Sequence, residues 1–94
     1  NMATASARHL LVDSEELCNE LKAKIEAGAD FAEVAKENST CPSGANGGDL
    51  GTFGEGQMVP EFDKVVFNDA VNVVHGPVQT QFGYHLLEVT SRQD

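Results

Sequence analysis

Three side chains in this sequence carry the chemistry of a reaction centre: His9, His85 and Cys41. Each histidine sits in an apolar run, Arg8 to Val12 (RHLLV) and Tyr84 to Thr90 (YHLLEVT). Imidazole changes charge near neutral pH, and its neutral form both donates and accepts a hydrogen bond. The two therefore read as an acid–base pair or as core histidines bonded to each other or to hydroxyls, and the apolar setting weighs towards the second. Cys41 opens a glycine-rich loop. A cysteine with histidines invites a thiol nucleophile, which needs an oxyanion site and an orienting third group, and neither is visible. The alternative is a polarizable residue lining a pocket. Cys18, Cys41, His9, His75 and His85 lack the spacing of a zinc site, so neither metal nor cofactor is expected. Met58, Phe62 and Phe82 form a third group. Met58 and Phe62 are four apart across a helix start and share a face, while Phe82 falls in a turn. They line a binding site or a small core beneath the loop, and the pattern leaves both open.

These residues need a scaffold. The stretch from Cys41 to Phe67 holds six of the nine glycines and two of the three prolines, yet carries Leu50, Phe53, Met58, Val59 and Phe62. A linker has no use for such anchors, so this is an ordered loop feeding a short helix. Before it, Arg8 to Val12 reads as a strand, with His9 and Leu11 on one face. Asp13 reads as an N-cap, with Glu16 completing a capping box, for a helix from Ser14 to Ala27 whose stripe is Leu17, Cys18, Leu21 and Ile25. Gly28 suits the end of that helix. Asp30 caps a second helix reaching Asn38. A short strand near Leu50 to Phe53 is expected within the loop, and Pro60 opens a third helix. Gly76-Pro77 breaks the chain. Val78 to Thr80 and Tyr84 to Thr90 are extended, and Ser91 to Asp94 is a polar tail. The order gives an α+β domain with a small antiparallel sheet packed on helices. The first and last long strands, the most apolar, belong side by side at its centre, which would bring His9 and His85 together.

Length and charge narrow the function. The 94 residues suit one domain, 2–92, once Asn1 is set aside as a tag residue. Six cations against fifteen acids leave a net charge of -9, which disfavours nucleic acid and anionic membrane, and no cluster of Arg or Lys awaits a phosphate. No run spans a bilayer, and no charged-then-apolar leader is present in the sequence, so no signal peptide is expected in it. Two cysteines give thin disulfide support, so both thiols are expected free in a reducing cytoplasm. The start at Met2 and the polar end at Asp94 suggest a complete protein.

Several motifs, in order, resemble one family. They are Arg8-His9-Leu10-Leu11-Val12, Cys41-Pro42-Ser43-Gly44, Gly47-Gly48-Asp49-Leu50-Gly51, Gly56-Gln57-Met58-Val59-Pro60-Glu61-Phe62 and Gln81-Phe82-Gly83-Tyr84-His85. Nearly the whole chain resembles the parvulins, small peptidyl-prolyl cis/trans isomerases, and most of all their minimal bacterial cytoplasmic form. The resemblance implies a parvulin/FKBP-like α+β fold, a four-stranded antiparallel sheet surrounded by three to four helices. It implies a monomer that rotates Xaa-Pro bonds in unfolded or flexible polypeptides without a cofactor. Met58, Phe62 and Phe82 would hold the proline ring, with Leu50 at the edge. Cys41 would face the rotating bond, and His9 and His85 would pair behind it with Thr80 in their network. Phospho-specific parvulins carry a basic loop after the first strand. Here Asp13-Ser14-Glu15-Glu16 follows, which argues against phosphorylated substrates. Rotation has no leaving group, so Cys41 is expected to act as a polar neighbour of the amide rather than by covalent attack. A non-catalytic peptide-binding module of the same fold is the alternative.

Overall fold

Alternation along the first strand sets the layering. A computed structural model describes residues 3–94; Asn1 and Met2, and with them the expected start of the domain, lie outside the described residues. Strand β1 (Thr4–Val12) turns Ala5, Ala7 and His9 to one side and Leu10 and Val12 to the other. Helices α1 (Glu15–Glu26) and α2 (Phe31–Asn38) cover the second side, where Cys18, Leu21, Phe31 and Val34 close over Leu10, Val12 and Leu86. A 3₁₀ turn (Pro42–Asn46) and strand β2 (Asp49–Gly54) follow, then α3 (Pro60–Asn68), β3 (Val74–Thr80) and β4 (Gly83–Gln93). Helix α3 covers the first side, setting Phe62 and Val66 against Ala5, Ala7, Leu87 and Val89. Each fully buried Leu or Phe contributes about 1.5–3 kcal/mol, so the two half-cores outweigh any surface ion pair.

The sheet is antiparallel throughout, in the order β2-β1-β4-β3. The first and last strands are thus its centre, as their apolar content required. Three helices and a four-stranded sheet match the expected α+β class. Pairing runs His9 to Leu87 and Leu11 to His85, so the two histidines are diagonal neighbours on one face.

Local chemistry explains most boundaries and corrects four of them. Asp30 caps α2 as expected, its carboxylate accepting from the Glu33 amide at 3.1 Å. The cap of α1 is Ser14, not Asp13: the Ser14 hydroxyl accepts from the Leu17 amide at 3.0 Å, which shifts the helix start by one residue. Strand β1 begins at Thr4 rather than Arg8, because Thr4, Ala5 and Ser6 pair with both neighbours. Gly76-Pro77 does not break the chain. Its peptide is cis and sits in an irregular stretch of pairing between His75 and Val78, on an edge strand where a missing amide hydrogen costs little. The expected polar tail is strand as far as Gln93, since Ser91, Arg92 and Gln93 pair with Ser6, Ala5 and Thr4.

Gly48 is the tightest point of the loop. Its φ is +84°, the His9 amide donates to its carbonyl at 2.9 Å, and a Cβ there would lie 2.1 Å from the His9 carbonyl oxygen. Replacing Gly48 with Ala is expected to destabilise the fold by about 3 kcal/mol or more, from strain and forced separation of β1 from the loop. The midpoint of urea unfolding measures it.

Candidate active site

Serine and threonine hydroxyls stitch the catalytic-looking loop to β1. Ser39 Oγ accepts from the Leu11 amide at 3.1 Å and the Cys41 amide at 3.3 Å, and the Thr40 amide donates to the Leu11 carbonyl at 2.8 Å. Cys41 is thereby held beside the strand that carries His9. The imidazoles meet in the space behind it. Nδ1 of His9 lies 3.1 Å from Nδ1 of His85, and both rings are 4 % exposed. Thr80 Oγ1 is 2.7 Å from His85 Nε2, and Ser43 Oγ is 3.0 Å from His9 Nε2.

One assignment of protons satisfies every group in this chain. The Phe82 amide donates to Thr80 Oγ1 at 3.1 Å. Thr80 then gives its hydroxyl proton to His85 Nε2, and His85 Nδ1–H donates to His9 Nδ1. His9 Nε2–H donates to Ser43, whose hydroxyl donates to Cys41 Sγ at 3.4 Å. The reverse direction leaves the Thr80 hydroxyl without an acceptor. Among the described residues, no buried side-chain polar atom is left unpartnered. Ser43 was not among the expected site residues. Its signal was there: a hydroxyl two residues past the cysteine, within the first turn after Pro42.

Burial sets the charge state of the pair. Desolvation lowers the His9 pKa. Desolvation, with a smaller contribution from His9, lowers that of His85 from 6.5 to about 4. Both rings are therefore neutral at neutral pH, and the Nδ1–Nδ1 bond excludes a doubly charged pair, since two imidazolium rings would face donor to donor. Phe62 stands edge-on to both, with centroids 4.6 Å from His85 and 5.4 Å from His9. Cys18 lies far from this chemistry; burial, then Glu15, pushes its thiol up to about 11.

A cavity of about 490 Å³ opens on this floor. The expected residues Cys41, His9, His85, Leu50, Met58, Phe62, Thr80 and Phe82 all line it, with Leu11, Thr40, Pro42 and Val59. Phe62 is buried, whereas Phe82 stands 61 % exposed at the rim. Among the described residues no group of three or more His, Cys, Asp or Glu is arranged to hold a metal. Both cysteines are free.

An antiparallel sheet in this order, with paired imidazoles beneath an apolar cavity, defines a parvulin-type domain. Comparison with known proteins gives the same answer. A family model described as "Rotamase: PPIC-type PPIASE domain" matches residues 4–91. A curated relative, the foldase protein PrsA of Halalkalibacterium halodurans, is 47 % identical over the full chain, which covers 28 % of that protein. The crystal structure of the peptidylprolyl isomerase PrsA from Bacillus anthracis superposes with a TM-score of 0.94 at 37 % identity, over 99 % of this chain and 43 % of that one. The solution structure of NmPin, the parvuline of Nitrosopumilus maritimus, gives 0.86 at 29 % identity over 97 % and 99 % of the two chains. The chain belongs to the PPIC-type peptidyl-prolyl cis/trans isomerase family, the parvulins. It spans less than a third of the length of the curated PrsA relatives it matches.

The histidine shifts fix a pH dependence. The unfolded chain takes up protons at His85 near its ordinary 6.5, while the folded chain resists down to about 4. Unfolding therefore binds protons in that window, and acid favours it. Stability from His85 is expected to be complete above about 6.5 and to fall steadily as the pH drops towards 4, with His9 acting in the same direction. Thermal melts across the window measure it.

Proposed function

We propose that this domain rotates Xaa-Pro bonds in unfolded or flexible, non-phosphorylated polypeptides by a non-covalent route. The observation that carries the reading is the meeting of Met58, Phe62 and Phe82 with Cys41 and both histidines around one cavity. The proline ring is held by those three apolar side chains, with Leu50 at the edge. The planar amide owes its barrier, about 18–20 kcal/mol, to resonance that places negative charge on the carbonyl oxygen. Twisting removes that charge separation. A cavity poor in water therefore disfavours the planar form more than the twisted one. Each tenfold in rate requires about 1.4 kcal/mol of such difference. Cys41 faces the bond as a polar group whose sulfur already accepts from Ser43. His9, His85 and Thr80 hold the floor rigid and keep Phe62 and the Phe82 turn in place.

Other parts of the reading rest on surface properties. A net charge of -9 supports partners other than nucleic acid or anionic membrane, and Val73 and Phe82 as the exposed large hydrophobics among the described residues support a monomer. Two free thiols support a reducing, cytoplasmic setting. The small share of the PrsA relatives that the chain spans favours a second reading, an isomerase domain serving within a longer foldase. Fractionation of source cells, followed by detection of the polypeptide and its size, separates the two.

NMR exchange spectroscopy on a short Xaa-Pro peptide tests the activity: added protein is expected to broaden or exchange the cis and trans signals, and unchanged rates refute it. Two substitutions test the mechanism. Cys41→Asp is expected to retain at least about a tenth of kcat/KM, a loss of no more than about 1.4 kcal/mol. Complete loss in a folded variant would restore the covalent route. Phe82→Ala removes an exposed side chain, so its Tm should barely move while kcat/KM falls about tenfold.

A further inference from the structure

The walls of the cavity are tethered unequally. The Cys41 segment is bound to β1 through Ser39 Oγ and the Thr40 amide, and the Phe82 turn is bound through Thr80 Oγ1. Met58 and Val59 belong to the loop between β2 and α3. Glu55, Gly56 and Gln57 at the tip of that loop are exposed, and a Cβ on Gly56, at φ +82°, would meet nothing within 4 Å. The turn closes on itself: the Gly54 amide donates to Gln57 Oε1 at 3.0 Å, and the Gln57 amide donates to the Gly54 carbonyl at 3.4 Å. These two bonds shape the turn without fixing it to the domain.

A single hydrogen bond does fix it. The Gly56 amide donates to Asp63 Oδ1 at 3.0 Å. Asp63 stands half-buried near the start of α3, one residue after Phe62, and reaches back across the helix entrance to the loop. An ionised acceptor makes a stronger bond to a backbone amide than a neutral one. The positive end of α3, which no side-chain cap covers, favours a carboxylate there. Among the described residues, no other hydrogen bond joins residues 55–58 to the body of the domain. The Met58 side chain packs against the half-core of Phe62 and Val66, so its apolar seat exists and its backbone is what the bond holds.

We propose that Asp63 is a positioning residue for this site: by strapping Gly56 to α3 it seats Met58 in the cavity wall and sets how tightly the proline ring is gripped. This role rests on the isomerase reading of the cavity and extends it to a residue outside the lining. Met58 meets the ring in the planar and the twisted amide alike. Loss of the strap therefore weakens both states, which raises KM and leaves kcat in place. A merely structural carboxylate would act differently, lowering the folded fraction, and with it kcat, at constant KM.

Variants of the whole chain test this. Asp63→Ala removes the acceptor, Asp63→Asn keeps an oxygen there without the charge, and Glu61→Ala removes an exposed first-turn acid that makes no hydrogen bond to the loop. Without substrate, amide exchange at Gly56 is expected to quicken about tenfold or more in Asp63→Ala, and the Met58 methyl signal to shift or broaden. With an Ala-Leu-Pro-Phe peptide, KM is expected to rise about three- to tenfold while kcat stays within about twofold. Asp63→Asn should recover most of both effects, and Glu61→Ala should show neither. Unchanged Gly56 exchange and Met58 signal in a folded Asp63→Ala overturn the strap. So does a fall in kcat at constant KM, or an equal rise of KM in Glu61→Ala. A wild-type chain that turns nothing over would sink the isomerase reading, while Gly56 exchange, the Met58 signal and the peptide Kd from NMR titration would still decide the strap.

Discussion

A hydrogen bond between two neutral imidazoles, His9 Nδ1 to His85 Nδ1 at 3.1 Å, is the constraint on which the site depends. A polar pair in an apolar half-core is tolerable only if every nitrogen has a partner, because each orphaned group costs about 1–3 kcal/mol. That demand reaches outward in both directions. It recruits Thr80 from the end of β3 and Ser43 from the 3₁₀ turn, and through them the Phe82 amide and the Cys41 sulfur. Three stretches far apart in sequence, at residue 9, residues 41–43 and residues 80–85, are thus joined by a single line of donors and acceptors. The tolerance for error is small, since reversing one ring strands a proton.

The apolar side of the site hangs on the same pair. Phe62 makes T-shaped contacts with both imidazoles from the first turn of α3, just before which Met58 and Val59 reach the cavity. The Phe82 ring is exposed, but its backbone is anchored by Thr80, so its position is set by a bond rather than by packing. The sheet edges, by contrast, offer little to a passing polypeptide. On β2 the Asp49 carboxylate takes the Gly51 amide, and on β3 Lys22 takes the Gly76 carbonyl while Pro77 has no amide to give. Strand addition is blunted at these points on both edges.

Period-two alternation in RHLLV and YHLLEVT gave each histidine a face, and placing the two most apolar strands side by side let His9 and His85 share one, as their pairing does. The cap at Asp30 and the helix start at Pro60 were likewise written in local chemistry. What failed was judged from composition. Gly76-Pro77 looked like a break and Ser91 to Asp94 like a tail, yet pairing with β4 and β1 overrode both. Asp13 and Ser14 are both competent caps, and only three-dimensional geometry chose the serine. Met58, Phe62 and Phe82 were grouped from spacing and from family resemblance, and they do share a cavity. Ser43 entered only as part of the motif Cys41-Pro42-Ser43-Gly44, with no partner that spacing alone could name. Its role appears only once His9 Nε2 is seen to need an acceptor.

The same wiring argues against a cysteine hydrolase more strongly than sequence could. A thiol nucleophile needs an adjacent base able to take its proton. In the proton assignment that satisfies every group, His9 Nε2–H donates to Ser43, and the Ser43 hydroxyl is the group hydrogen-bonded to Cys41. The second ring is also a weak base, its pKa lowered by burial to about 4 and both its nitrogens engaged. A hydrolase would want these groups poised to change charge. A rotamase makes no and breaks no bond, and gains most from a floor that stays neutral and fixed while the amide above it twists. The depressed histidine pKa, which would cripple acid–base chemistry at neutral pH, is therefore what this proposed mechanism requires.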